Sequence, residues 1–142
     1  MRLLLAAAIA LAASAPAFAL DASDCPQPRF TGKAPAEYYD RPNPLPTSTD
    51  VGPSRAVFLG DGRKVACASC HGAKGDSHGP MSDMFEPRPR NFACAKTVNG
   101  IPDGQLFWII RFGSPGTSMP AHPQFTDDQV WRLVLYLRTL AR

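Results

Sequence analysis

The sequence predicts an all-α fold, with three or four helices joined by long loops and preceded by an irregular proline-rich arm. Three observations predict it. Apolar residues recur at helical spacing in three stretches, and the clearest of these closes the chain. No segment sustains the apolar–polar alternation of a half-buried strand. The irregular stretches, at about 72–102 and 114–125, are too long and too rich in glycine and proline for ordinary connections in a compact domain. Loops of that length suggest that something other than side chains fills the middle.

The chain has 142 residues, 44% hydrophobic and 19% charged, which suits one small domain. Residues 1–19 read as an export signal. Arg2 supplies a positive start, an apolar run follows, and Ala17-Phe18-Ala19 is a small-x-small cleavage site. The run is too short to span a bilayer. A lipid anchor on Cys25 is disfavoured because Ala22-Ser23-Asp24 places a charge just before it. The formal net charge is only +3 and the cations are scattered, which argues against nucleic-acid binding and against a polybasic membrane tail. The expectation is an exported, periplasmic, monomeric protein without a stable membrane anchor.

Residues 20–50 form the arm, and residues 51–142 the domain proper. Between residues 20 and 53 stand Pro26, Pro28, Pro35, Pro42, Pro44, Pro46 and Pro53, which disfavour both helix and central strand. Phe30, Tyr38 and Tyr39 imply that the arm packs onto the domain. A first helix is expected over 51–59, stopped by Gly60-Asp61-Gly62. A second is expected over 104–112, with Asp103 as N-cap and Gly113 at its end. The third opens on Thr126-Asp127-Asp128-Gln129, a capping box with two acids at the positive end of the helix dipole. Val130, Leu133, Val134, Leu137, Leu140 and Ala141 then repeat at helical spacing, with Arg138 and Arg142 as closing cations.

The chemistry is concentrated in Cys67-Ala68-Ser69-Cys70-His71. In C-x-x-C-H the two thiols can add to the vinyl groups of one haem, and the next residue places an imidazole under the iron. Competing uses fit less well. A structural zinc site would need Cys94 and His78 as a loose completion, a thioredoxin-like pair would need a βαβ context, and a plain Cys67–Cys70 disulfide would leave His71 unexplained. The cofactor expected is therefore one covalently attached haem c, with the loops wrapped around it.

The second axial ligand could be Met81, Met84, Met119, His78 or His122. Met81 and Met84 follow the attachment motif closely and read as packing residues. His78 lies in a polar turn and reads as solvated. Met119, in Gly116-Thr117-Ser118-Met119-Pro120, sits in a loop able to cross to the other haem face before the last helix, and His122 is its one serious rival. Met119 is the expected ligand.

Residues from about 51 to 142 resemble a class I, monohaem bacterial c-type cytochrome. The matching pieces are CASCHG, Gly79-Pro80, PRPRNF, DGQLFWIIRFG, GTSMP and TDDQVWRLVLYLRTL. The resemblance implies that the Pro80 carbonyl accepts from the proximal imidazole of His71. It implies that Gly52 marks the crossing of the first and last helices, near 131–135. It implies that Arg90 and Asn91 donate to the haem propionates, a role that Arg88 would serve as well. The arm and the pair Cys25 and Cys94 depart from the simplest members. In an oxidising compartment these two cysteines are expected to form a disulfide pinning the arm near the haem, the alternatives being two thiols or an intermolecular pair.

Ligation by His71 and Met119 would leave iron no vacant position and would favour outer-sphere electron transfer. The function expected is a periplasmic electron carrier, not an enzyme. Its donor would be a dehydrogenase or membrane complex, and its acceptor an oxidase or reductase. Arg55, Arg63, Lys64 and Lys74 would favour an acidic docking patch on such a partner. The alternatives are a haem subunit of a periplasmic oxidoreductase, for example in sulfur-compound oxidation, and a ligand sensor or small peroxidase with a labile Met119.

Overall fold

The computed structural model describes residues 25–28, 31–62 and 66–142. The proposed export signal, Phe30, Arg63 and Lys64 lie outside the described residues. The fold is all-α, with no strand among the described residues. Its helices are α1 (Ala36–Tyr39), α2 (Gly52–Leu59), α3 (Cys67–His71), α4 (Ala95–Val98), α5 (Asp103–Phe112) and α6 (Asp127–Leu140), with a 3₁₀ turn at Ser82–Met84. The three longest are those predicted by periodicity. Of the three shortest, α1 falls inside the arm, α4 inside the first long loop, and α3 is the C-x-x-C-H segment itself; helices of one turn leave no periodic trace.

Helix α2 begins with Pro53 in its first turn and stops at Gly60, whose φ of 117° carries the chain into the left-handed region. It packs on α6 through Phe58, whose ring meets Tyr136 edge-on at 5.3 Å. Gly52 is not the crossing residue. It is exposed, its N–H donates to the Asp50 carboxylate at 2.9 Å, and a Cβ there would approach only Asp50. The contact with α6 lies more than a turn further on.

Helix α6 opens with the reciprocal cap. Gln129 N–H donates to Thr126 Oγ1 at 3.3 Å, and Thr126 N–H donates to Gln129 Oε1 at 2.9 Å. Arg142 does not close this helix. The helix ends at Leu140, and Arg142 pairs through its backbone with Ala93 and Ala95, lying along the loop that precedes α4. Val130, Trp131, Leu133, Val134 and Leu137 of α6 pack with Leu106, Phe107 and Ile110 of α5 in one core. Within it Phe107 stacks on Trp131 with ring centroids 4.2 Å apart.

Asp103 is the first residue of α5 rather than its cap, a position taken by Pro102. Its carboxylate is drawn to Arg138, which donates to it from Nε at 2.9 Å and Nη2 at 2.6 Å. Arg138 also donates to the carbonyls of Val98 and Ile101, so one guanidinium holds the whole turn between α4 and α5 against α6. Arg138→Met is expected to cost about 2 kcal/mol, since three partners lose charge-assisted bonds at once. Chemical denaturation would check it; a neutral result would mean that water replaces the guanidinium.

The arm is packed, not loose. Ala34 N–H donates to the buried Gln105 Oε1 at 2.8 Å, Gln105 Nε2 donates to Gly32 C=O at 3.2 Å, and Asn43 Nδ2 donates to Trp131 C=O at 3.0 Å. The Arg41 guanidinium lies within 6 Å of both the Phe107 and Trp131 rings, at 5.9 and 5.8 Å. The disulfide joins Cys25 to Cys94, with Cα atoms 5.5 Å apart, and so ties the beginning of the arm to the start of α4.

Candidate haem-binding site

Helix α3 is only five residues long, and that brevity is useful. Cys67 and Cys70, three apart, share one face, while His71 lies at the end where the chain leaves the helix. Both cysteines are half-buried, whereas His71 is only 8% exposed. Gly72, with φ of 81°, turns the chain sharply, and Ser77 N–H returns to the His71 carbonyl at 2.9 Å. Gly79 then lies so close to α3 that a Cβ would stand 2.4 Å from the Ser69 carbonyl oxygen.

That close approach decides what holds the histidine. The chain after Gly79 is tied to α3 by Met81 N–H donating to Ser69 C=O at 2.9 Å, and Pro80 is exposed. Pro80 is therefore not the acceptor. His71 Nδ1 lies 2.9 Å from the carbonyl of Arg90, which therefore meets the edge of the imidazole ring. Donation to that carbonyl places the proton on Nδ1 and leaves a lone pair on Nε2. Burial, together with the nearby Arg90 and His122 charges, pulls the imidazole down to about 4 against the opposing Arg90 backbone bond. His71 is thus neutral near pH 7, the form that ligates a metal. Phe92 supports its ring with centroids 4.7 Å apart.

His71 and Cys70 border a cavity of about 330 Å³. Its wall is mainly apolar, built from Phe85, Phe92, Ile101, Leu106, Ile110 and Leu137, with Arg88 and Arg90 also on the boundary. Met119 lies on the same boundary. Its loop is closed internally: Ser114 N–H donates to Met119 C=O at 3.1 Å, and Met119 N–H donates to Thr117 Oγ1 at 3.2 Å. Gly113, with φ of 83°, makes that return possible, since a Cβ would be 3.0 Å from the Ala121 nitrogen.

An apolar slot bordered by a neutral imidazole, a thioether, a thiol and two guanidinium groups suits a haem with its propionates. The sequence profile of the Cytochrome c family matches residues 59–141. The chain belongs to the cytochrome c family. Covalently bound haem c is its cofactor, and haem-based electron transfer is its chemistry. This cytochrome is also similar in structure to a chain of a reducing HAO-like protein complex from Kuenenia stuttgartiensis, at 25% identity and a TM-score of 0.56. That match covers 68% of the cytochrome and 44% of the other chain, less than half its length. Among curated proteins no relative matches.

The five methionine and histidine candidates separate cleanly in space. Only Met119 shares the main cavity of the cytochrome with His71. Met84 is 73% exposed, so it is not a packing residue, and Met81 is half-buried away from the cavity. His78 is exposed and bonds Asp76, while burial lowers the pKa of the half-buried His122. His122 borders a smaller cavity of about 30 Å³, together with Cys67 and Met119. Arg88 and Arg90 both reach the main cavity, but Asn91 does not. Its side-chain oxygen accepts from Cys94 N–H at 3.1 Å, which spends it on the turn into α4. Gln27 and Thr31 of the arm, and Gln105 of α5, also line the cavity and carried no sequence signal. Uncharged polar residues in a proline-rich stretch look like surface until the arm is folded back.

Proposed function

We propose that this cytochrome is a periplasmic carrier of single electrons. Cys67 and Cys70 would hold the haem covalently, and His71 and Met119 would supply its iron ligands. One observation carries the reading: of the candidate ligands, Met119 alone borders the cavity into which His71 faces. Haem c supplies a one-electron couple whose reduced form a thioether ligand favours.

The protein's own groups prepare that site. The Arg90 carbonyl sets the tautomer and orientation of His71. The loop built on Gly113, Ser114 and Thr117 presents Met119 with little freedom to leave. Leu106, Ile110 and Leu137 exclude water, which limits reorganisation when charge changes. Arg88 and Arg90 are placed to meet the propionates, although Arg88 also pairs with Asp83. A periplasmic location is supported by the export signal read at 1–19 and by the Cys25–Cys94 disulfide, which suits an oxidising compartment. No helix among the described residues is long and apolar enough to cross a membrane.

The similarity to a chain of a protein complex favours a second reading, a haem subunit of a periplasmic oxidoreductase. The carrier would meet a dehydrogenase or membrane complex as donor and an oxidase or reductase as acceptor, running as a monomer. Sizing the haem-loaded protein from its native source separates the two readings.

Optical spectra of the oxidised and reduced holoprotein test the ligation. The oxidised wild type is expected to show the weak red thioether-to-iron band. Met119→Ala is expected to abolish it, lower the reduction potential and let the reduced protein bind carbon monoxide. If Met119→Ala leaves the spectrum intact while His122→Ala changes it, the ligand is His122 and the proposed coordination is wrong.

A further inference from the structure

Gln27 lies on the arm, far in sequence from the haem-attachment motif, yet it is only 9% exposed and borders the cavity. Its side-chain amide uses both ends on one short piece of backbone. Oε1 accepts from Asn91 N–H at 2.7 Å, and Nε2 donates to Pro89 C=O at 3.3 Å. Between those two groups lies Arg90, whose carbonyl is the partner of His71 Nδ1 at 2.9 Å. Successive carbonyls along extended backbone face opposite sides. An amide that takes Pro89 C=O and Asn91 N–H on one side therefore leaves the Arg90 carbonyl for the ring on the other. The segment has particular need of such a partner. Pro87 and Pro89 have no N–H, so no regular helix or ladder can fix its path.

We propose that Gln27 is a positioning residue for the axial histidine, clamping the backbone on both sides of the carbonyl that orients His71. This rests on the reading of His71 as an iron ligand. Two further ties make the clamp rigid. Ser77 Oγ donates to the same Pro89 carbonyl at 2.6 Å, and Ser77 N–H donates to His71 C=O at 2.9 Å, so the clamp closes back on the histidine's own backbone. On the other side, Gln27 N–H donates to Thr97 Oγ1 at 2.8 Å, and that hydroxyl lies 3.2 Å from Cys94 Sγ. Cys94 is bonded to Cys25, two residues before Gln27. The arm thus reaches the iron ligand through one amide, with its own position set by a covalent bond. A fixed acceptor at Nδ1–H makes the imidazole a stronger donor to iron, which favours the oxidised form.

The test uses the haem-loaded protein with two readouts, the midpoint potential and the solvent exchange of the His71 Nδ1 proton by NMR in the reduced state. Gln27→Met keeps the volume and removes both bonds. It is expected to speed exchange at least about tenfold and to shift the oxidised-to-reduced ratio toward reduced by up to about tenfold, or 59 mV for one electron. Asn43→Ala removes a different arm contact, the bond to Trp131 C=O at 3.0 Å, and is expected to move neither readout. Gln27→Glu keeps an acceptor for Asn91 N–H and is expected to speed exchange by less. It stands in if Gln27→Met fails to mature. Wild-type exchange in the glutamine variant measured, or an equal change in Asn43→Ala, overturns the clamp. A low-spin spectrum unchanged in His71→Ala would instead overturn the ligation on which the clamp rests.

Discussion

Replacing Cys25 and Cys94 together by serine is expected to cost about 4 kcal/mol of stability. The two residues are 69 apart, and closing a loop of that size removes about that much chain entropy from the denatured state. The native side of the change is mild. Cys25 is exposed, and a serine at the buried position 94 finds the Thr97 hydroxyl beside it. Guanidinium denaturation of the holoprotein reads the loss directly. The denaturant slope is expected to rise as well, because an unlinked denatured chain exposes more surface. A loss below about 1 kcal/mol would mean that the attached haem already restricts the denatured chain as tightly as the disulfide does.

Gly104→Ala is expected to destabilise by about 3 kcal/mol, at the upper end for overpacking. The sign is the informative part, because alanine in a helix is ordinarily about 1 kcal/mol better than glycine. At Gly104 a Cβ would stand 1.8 Å from the Tyr38 carbonyl oxygen and 3.0 Å from that of Arg41. Both obstacles are backbone, so the arm itself must move off α5. Its contacts through Ala34 with Gln105, and through Arg41 with Phe107 and Trp131, would weaken together. Denaturation measures the cost, and limited proteolysis is expected to cut the variant first within the arm. A neutral or stabilising alanine would mean that the arm does not pack on α5 in solution.

These two effects concern the part of the chain where sequence reasoning had least to work with. The helices at Gly52–Leu59, Asp103–Phe112 and Asp127–Leu140 were legible because each follows a local rule. A glycine stop follows the first and second, and a reciprocal cap with a periodic apolar face marks the last. Cys67, Cys70 and His71 were legible as a haem-attachment motif because adjacent residues carry that chemistry. The errors share a different origin. Pro80 in place of Arg90, Gly52 as a crossing residue and Met84 as packing all required knowing how distant parts of the chain come together.

Composition, local capping and one five-residue motif thus determined the helical class, the three main helices and the cofactor, since each depends on neighbours along the chain. Only tertiary structure decided that Arg90, not Pro80, presents its carbonyl to His71. The reason is steric: Gly79 lies against the carbonyls of α3 and Pro80 is exposed beyond it, so the Nδ1 edge of the ring is met by another segment. It likewise decided that Gln27 reaches the cavity, because a bond to Cys94 and the absence of a Cβ at Gly104 let the arm fold back across α5. Contacts between residues 19 apart, as for His71 and Arg90, or more than sixty apart, as for the arm, leave no period and no spacing in a single sequence.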